Sequence, residues 1–344
     1  MPTNVTADYK KAEDAFRRAR DPGERLACLK EMLRAVPKHK GTEHLQADIK
    51  TRIKQLTEEL AGPRKGGRTG TSQTVRPEGA AQVALVGLPN AGKSRLHDRL
   101  TGSHAGAGPR PFAPLPGMLA FEDIRFQLVD LPPVSTEFME PWLPNALRNA
   151  DAALLVVDLS DPACVDHVPA VLRRLRECRI ELVEYWPRPI GGVLPPPAPK
   201  PSDEVPPDPF ALRLPTLLLA NKSDLDPDPD EVRVLEELLG VRFPALAVSA
   251  KTGEGCDEIA PALFEGLAIV RVYTKAPGRE ADRDRPFTVR AGDTVRDVAR
   301  LVHKDIAEGL RHARVWGSSG QFDGQQVGPD HPVADGDVVE LHAR

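Results

Sequence analysis

The sequence predicts an α/β protein in which a mostly parallel sheet lies between an N-terminal helical segment and a small C-terminal α+β unit. Three observations carry this prediction. Apolar runs alternate with amphipathic stretches from residue 83 to residue 271, helical periodicity fills residues 8–61, and short strands with turns fill residues 285–344. At 344 residues the chain is longer than one hydrophobic core usually supports, so two or three domains are expected.

The first 62 residues are predicted to form a helical hairpin or a three-helix segment, because apolar side chains recur there at helical spacing. Asp21 followed by Pro22 is typical of an N-cap and the first helical position. Residues 63–80 are rich in Gly, Ser, Thr and Pro, which predicts a flexible basic linker. Its basic residues, which either touch phosphates or are simply solvated, are Arg64, Lys65, Arg68 and Arg76.

Composition and charge favour a soluble protein, with 40% hydrophobic and 28% charged residues and a formal net charge of -4. The first 80 residues carry 17 basic and 11 acidic side chains, so a nucleic-acid contact should involve this segment first. The polar N-terminus and the shortness of every apolar run predict a cytoplasmic protein with no membrane partner. None of the four cysteines forms a Cys-x-x-Cys pair, which favours reduced thiols.

Residues 81–272 are predicted to form a single domain around the parallel sheet. Strands are expected at 83–86, 124–129, 152–157, 216–220 and 245–248, and helices at 93–100, 168–178, 231–239 and 257–270. Residues 187–209 hold ten prolines in 23 positions, which excludes a helix or a central strand and predicts a surface insertion.

A phosphate loop is predicted at residues 87–94, which read Gly-Leu-Pro-Asn-Ala-Gly-Lys-Ser and lie between an apolar strand and a helix. Backbone N–H groups of such a loop surround a phosphate, while Lys93 reaches the β- and γ-phosphates and Ser94 ligates Mg²⁺. The residues predicted to bind the nucleotide here are Gly87, Pro89, Asn90, Ala91, Gly92, Lys93, Ser94 and Arg95.

A guanine-reading motif, Asn-Lys-x-Asp, is predicted at residues 221–224, directly after a buried strand. The Asp224 carboxylate can accept hydrogen bonds from the guanine N1–H and exocyclic amine, which adenine does not offer in that arrangement. Asn221 is expected to tie this loop to the phosphate loop, and the stem of Lys222 to cover the base.

Ser249, Ala250 and Lys251 end the next strand and match a further guanine-binding element, in which the Ala250 N–H faces the guanine O6. The three motifs follow in order at the carboxyl ends of strands, which is the edge where open α/β sheets bind ligands. The sequence therefore predicts a P-loop GTPase domain that binds GTP or GDP.

Asp130 ends the predicted strand 124–129, where GTPases hold Mg²⁺, so Ser94 and Asp130 are the candidate metal ligands, and Lys93 and Asp130 the candidate catalytic residues. The chain continues Asp-Leu-Pro-Pro instead of Asp-x-x-Gly. Because proline has no N–H, Pro133 cannot make the γ-phosphate contact expected of that glycine.

The first switch also departs from the usual pattern, since Ala113 and Pro114 stand where a Mg²⁺-ligating threonine is expected. Thr101 is the nearest threonine, but it ends the predicted phosphate-loop helix. Nucleotide binding should therefore persist, while hydrolysis and γ-phosphate sensing should weaken.

The C-terminal residues 285–344 are predicted to contain a strand at 287–289, a helix capped by Asp293, and strands at 313–316 and 338–341. This segment resembles a TGS domain, which has a β-grasp fold, and the phosphate loop resembles that of Obg-related GTPases. The combination is similar to the developmentally regulated GTP-binding proteins. Residues 37–56 also resemble the N-terminal helical segment of that family.

The resemblance implies a cytoplasmic GTPase that acts around ribosomes or RNA in translation, with the TGS unit as a docking module. In potassium-stimulated relatives the phosphate-loop asparagine helps to bind K⁺, and Asn90 matches it. Three hypotheses follow: a slow GTPase, an adaptor that holds GTP or GDP without hydrolysis, and an ATP-using kinase. Asp224 argues against the kinase.

Overall fold

The computed structural model describes residues 7–19, 22–36, 43–60, 74–103, 113–135, 138–161, 163–190, 211–225 and 242–343. The chain forms two compact units, of which the first holds the N-terminal helices and the second holds two β-sheets. The predicted α/β fold with a C-terminal β-grasp unit is confirmed. No helix within the described ranges combines the length and apolarity needed to cross a membrane.

The described part of the first unit contains three helices, α1 (Ala7–Arg18), α2 (Pro22–Ala35) and α3 (Glu43–Leu60). They share a small apolar core in which Leu29, Met32 and Ile49 are fully buried. Proline begins α2, as its fixed backbone angle favours. The predicted cap Asp21 lies outside the described residues, as does most of the predicted linker.

The larger sheet of the second unit has the strand order β2-β3-β1-β4-β6-β5, and a further strand, β7, also pairs with β6. Its strands are β1 (Gln82–Gly87), β2 (Leu115–Phe121), β3 (Ile124–Asp130), β4 (Ala152–Asp158), β5 (Ile180–Val183), β6 (Leu212–Asn221) and β7 (Ala245–Val248). Only β2 is antiparallel to its neighbour. The helices that the structure describes around this sheet are α4 (Lys93–Thr101), α5 (Leu143–Leu147), α6 (Cys164–Glu177) and α7 (Ile259–Gly266).

The five strands predicted for this sheet are confirmed, but β2 and β5 were not predicted. Strand β2 contains Pro116 and Gly117, which weaken its sequence pattern. Proline is tolerated there because β2 lies at the edge of the sheet. The predicted helix 231–239 and residues 191–209 of the predicted insertion lie outside the described residues.

The smaller sheet has the order β11-β10-β12-β8-β9, and two short helices, α8 (Val295–Val302) and α9 (Lys304–Gly309), pack on one of its faces. Its strands are β8 (Ile269–Lys275), β9 (Asp282–Arg290), β10 (Leu310–Trp316), β11 (Gln325–Val327) and β12 (Asp337–Ala343). Strands β12 and β8 run parallel, and the other pairs are antiparallel.

Two predictions near this unit were wrong. The helix expected to run to residue 270 ends at Gly266, because Ala268 takes a left-handed turn (φ 51°) and the chain enters β8. Asp293 does not cap α8, since its carboxylate accepts the N–H of Arg290. The N-cap is Thr294, which forms a capping box with Asp297.

The turn between β2 and β3 contacts the smaller sheet through Arg271, whose side chain is 17% exposed. Its guanidinium pairs with Glu122 and Asp123 at that turn and with Asp335 of the smaller sheet's own loop. The Tyr273 hydroxyl also donates to Asp123. The strand pair that ends at Asp130 is thus joined to the C-terminal unit by ion pairs and hydrogen bonds.

Candidate functional site

The loop between β1 and α4 has a backbone that only glycine allows at two positions. A Cβ on Gly87 would lie 2.3 Å from the carbonyl oxygen of Val156, and a Cβ on Gly92 would lie 2.3 Å from the Asn221 amide nitrogen. Asn90, exposed at the tip with Pro89, has a left-handed backbone (φ 62°). The loop therefore takes the close-turning shape that a phosphate cradle requires.

Lys93 lies inside this loop and is 6% exposed. Its Nζ donates to the carbonyl oxygens of Gly87 at 3.1 Å and Leu88 at 2.8 Å. Burial lowers the pKa of Lys93 to about 8, although the negative charge of Asp130 opposes that shift. A bound phosphate would supply the anionic partner that this cation lacks among its two carbonyl contacts.

Ser94 and Asp130 meet beside the loop, where the serine Oγ donates to the aspartate Oδ2 at 2.5 Å. A hydroxyl and a carboxylate so placed fit Mg²⁺, which takes a few protein oxygens and completes its shell with phosphate and water. Ser94 and Asp130 would hold the ion, which would neutralise phosphate charge. Arg95, also predicted to bind the nucleotide, is exposed on the first turn of α4.

Asn221, which is 1% exposed, joins three loops. Its Nδ2 donates to the carbonyl oxygen of Ala91 in the phosphate loop at 2.8 Å, and its Oδ1 accepts the N–H of Ala250 at 3.0 Å. The expected tie between Asn221 and the phosphate loop is present. The Ala250 N–H, expected to face the guanine O6, here donates to Asn221 instead.

The Asp224 carboxylate is held at the same sheet edge by two donors. The Ser249 hydroxyl donates to its Oδ1 at 2.7 Å, and the Lys251 ammonium donates to its Oδ2 at 3.0 Å. These two hydrogen bonds lower the pKa of Asp224, so the group is an anionic acceptor at neutral pH. Each carboxylate oxygen has a second lone pair that can accept from a purine.

Lys222 has a left-handed backbone (φ 71°), and its ammonium pairs with Asp158 at the end of β4. Burial raises the pKa of Asp158, but hydrogen bonds from Lys222 and Ser160 outweigh that effect and lower it. Sequence reasoning missed Asp158, although an acidic residue at the carboxyl end of a central strand is a signal that could have found it.

On the opposite side of the site, where a γ-phosphate would lie, the described residues 101–103, 113–114 and 131–135 offer few donors. Thr101 donates its hydroxyl to the carbonyl oxygen of His97 in its own helix, at 2.7 Å. Ala113 and Pro114 lead directly into β2 and have no side-chain oxygen. The structure therefore does not place the nearest threonine at the Ser94–Asp130 pair.

From Pro132 to Ser135 the segment after Asp130 supplies no free backbone N–H on the γ-phosphate side. Pro132 and Pro133 have none, and Val134 donates its N–H to the carbonyl oxygen of Gly87 at 3.1 Å. Ser135 donates to the carbonyl oxygen of Phe138 at 3.0 Å. The departure at Pro133 thus extends over four consecutive residues.

Two family models match the chain where these features lie. A model described as 50S ribosome-binding GTPase matches residues 82–185, and the TGS domain model matches residues 270–343. The chain belongs to the Obg-related GTPases that carry a TGS domain.

Relatives of this Obg-related protein match over nearly its whole length. A GTP-binding protein of Methanocaldococcus jannaschii is 28% identical over 98% of this chain and 94% of its own. Developmentally-regulated G-protein 1 of Arabidopsis thaliana is 25% identical over 92% of this chain and 90% of its own. Ribosome-interacting GTPase 1 of Saccharomyces cerevisiae is 25% identical over 92% of this chain and 98% of its own.

Proposed function

We propose that this protein binds GTP and GDP with Mg²⁺, hydrolyses GTP slowly, and acts in the cytoplasm as a ribosome- or RNA-associated factor. The hydrogen-bonded link from Ala91 through Asn221 to Ala250 carries the first part of the proposal. It joins a phosphate loop to the loop that presents an ionised Asp224. One hydrogen-bonded framework can therefore position both the groups that bind the phosphates and the groups that bind guanine. Lys93 binds the phosphates, and Ser94 and Asp130 hold the ion.

Slow hydrolysis follows from the missing donors around Pro133. A hydrogen bond to a charged group contributes about 1.5–3 kcal/mol, so its loss from the transition state slows the reaction about 10- to 150-fold. Intrinsic GTPases already turn over at only about 10⁻⁴ s⁻¹ without a partner. The second candidate, a non-hydrolysing adaptor that holds GTP or GDP, is favoured by the Val134 N–H, which is engaged with Gly87 rather than free for a phosphate.

Turnover separates these candidates. We would measure GTP hydrolysis with Mg²⁺, with and without ribosomes, for the wild-type protein, Lys93→Ala and Pro133→Gly. Slow turnover above the Lys93→Ala background supports the GTPase, and a rise of about tenfold or more in Pro133→Gly supports the missing-donor explanation. Tight guanine-nucleotide binding without turnover under any condition would leave the adaptor.

Potassium stimulation is a further part of the proposal, since Asn90 lies at the exposed tip of the phosphate loop. The same assay in KCl and NaCl tests it. Equal turnover in the two salts would exclude a specific K⁺ effect.

Docking on RNA is proposed to use the face of the smaller sheet that lies opposite α8 and α9, together with the basic N-terminal segment. This face carries Lys275, Arg314, Trp316, His312 and His342. The Lys275 ammonium lies 3.8 Å from the centroid of the Trp316 ring, and the two histidine rings stack at 4.6 Å. Basic groups beside half-buried rings suit phosphates and unpaired bases.

The same face also carries the buried Glu340, which pairs with Lys275 and His342, so the proposed RNA contact depends mainly on the exposed Arg314. The acidic residues Asp297, Asp305 and Glu308 lie on α8 and α9. Arg314 is exposed on the opposite face.

Co-sedimentation with ribosomes tests the docking. The double variant Arg314→Ala/Trp316→Ala should pellet less than wild type, and the loss should shrink at high salt. Lys304→Ala, which removes an exposed cation from α9, is the matched control. Equal loss in the control, or none in the double variant, would exclude this face.

A further inference from the structure

Arg99 connects the phosphate-loop helix to the loop that follows β7. Its Nε donates to the carbonyl oxygen of Ala250 at 2.9 Å, and its Nη2 donates to that of Lys251 at 2.6 Å. The two partners lie 151 and 152 positions further along the chain. One guanidinium thus fixes two consecutive carbonyls of the loop on the side opposite its N–H groups.

The loop is shaped around this side chain. Gly253 has φ 96°, and a Cβ built on it would lie 2.7 Å from the Arg99 Nη1. The left-handed backbone at this position favours glycine and brings the loop against the guanidinium. This contact and the two hydrogen bonds together define one arrangement of the exposed arginine and the loop.

Arg99 and Asn221 form two separate hydrogen-bonded links, called struts below, between the phosphate-loop region and the 249–251 loop, called the base loop below. Asn221 links Ala91 to the Ala250 N–H, and Arg99 links α4 to the Ala250 carbonyl. Residue 99 lies about 9 Å along the helix from Lys93, given a rise of about 1.5 Å per residue. The helix thus carries the second strut from the phosphate end of the site toward the base end.

We propose that Arg99 is a positioning residue for purine recognition, which holds the 249–251 loop in register with Asp224. Loss of the strut loosens Ser249 and Lys251, which orient the Asp224 carboxylate. The phosphate loop keeps Lys93 and its own backbone, so phosphate affinity is unaffected. The inference rests on the guanine-nucleotide binding proposed above.

The experiment compares Arg99→Met, which keeps the stem and removes the donors, with Arg99→Lys, which keeps one charged donor. Dissociation constants are measured for GDP and for magnesium pyrophosphate, which engages only the phosphate side. Arg99→Met should bind GDP about 5- to 20-fold more weakly and pyrophosphate within about twofold of wild type. The GDP affinity of Arg99→Lys should lie between those of wild type and Arg99→Met. Arg173→Met, at an exposed position on α6, is the matched control and should bind both ligands like wild type.

Unchanged GDP affinity in Arg99→Met would overturn the inference and leave the proposed function intact. Equal losses for GDP and pyrophosphate would also overturn it, because the side chain would then support the whole domain rather than the base loop. A wild-type protein that binds neither ligand would instead refute the proposed function. A second variant, Gly253→Ala, strains the left-handed backbone of the same loop (φ 96°) and crowds the guanidinium, so it should also cause a selective loss of GDP affinity.

Discussion

Because the ammonium of Lys93 is buried, nucleotide binding should weaken as the pH becomes alkaline. In the nucleotide-free protein, burial lowers the pKa of Lys93 from 10.5 to about 8. Two carbonyl oxygens are its hydrogen-bond acceptors there, and neither carries a full charge. A bound diphosphate adds negative charge next to the ammonium, which favours the protonated form and raises the pKa again. GDP therefore binds preferentially to the protonated protein.

The size of the effect follows from the fraction of Lys93 that remains protonated. Between about pH 7.5 and about pH 9 that fraction falls about eightfold for a group that titrates near pH 8, so the dissociation constant for GDP should rise about eightfold. Calorimetry or a fluorescent GDP analogue measures this. The guanine N1–H also titrates in alkaline solution, and Lys93→Met measures that contribution separately. A wild-type pH slope equal to that of Lys93→Met would refute the argument.

The stability of the nucleotide-free protein should change in the opposite direction. Because the folded pKa lies below the unfolded value, the unfolded chain binds more protons between pH 8 and 10.5, and the free energy of unfolding rises with pH in that window. The full shift corresponds to about 3 kcal/mol, which the native protein forgoes below pH 8. Denaturant titrations of wild type and Lys93→Met should therefore converge as the pH rises toward 10.5; parallel curves would contradict the shift.

Two further substitutions test the base loop and the C-terminal contact. Asp224→Asn exchanges one acceptor for a donor, so it should weaken GDP binding at least tenfold and improve binding of xanthosine diphosphate, whose C2 carbonyl accepts from the amide. Competition between the two nucleotides measures this, and an unchanged preference for GDP would exclude Asp224 as the base reader. Arg271→Met leaves Glu122, Asp123 and Asp335 without their shared cation and should cost about 2 kcal/mol of unfolding free energy. Burial raises the pKa of Asp335, but hydrogen bonds from Arg271 lower it overall, so this difference should shrink as acid protonates the carboxylate; a pH-independent difference would point to lost packing on Phe264 instead.

Much of the nucleotide side could be predicted from the sequence because its signals are local. The strand, loop and helix around Lys93 are specified by an apolar run and two glycines with fixed spacing, and the tie from Asn221 follows from its motif. Strand β2 escaped prediction because edge pairing overrides the effect of Pro116 and Gly117 on the pattern.

Contacts between distant residues that belong to no motif could not be predicted in this way. In the sequence, nothing distinguishes Arg99 from any other exposed helix residue. Only the fold shows that it contacts Ala250. The sequence shows that Pro133 lacks a donor, but only the structure shows that Val134 turns its own N–H to Gly87. In both cases the deciding interaction joins residues that no periodicity or short motif relates.

The two ends of the site differ in how much redundancy they contain, and this difference bears on function. At the base end, Asn221 and Arg99 hold Ala250 independently, and Ser249 and Lys251 both hold Asp224. Loss of one of these contacts leaves another in place, so affinity for guanine should decline gradually. At the γ-phosphate end, within the part of the chain that the structure describes, residues 132–135 have no N–H or donate it to another carbonyl. We therefore expect the domain to retain its nucleotide well and to distinguish GTP from GDP poorly. On this expectation a docking partner would supply the group that responds to the γ-phosphate. Hydrolysis that ribosomes stimulate in the wild-type protein but not in Lys93→Ala is the observation that would establish it.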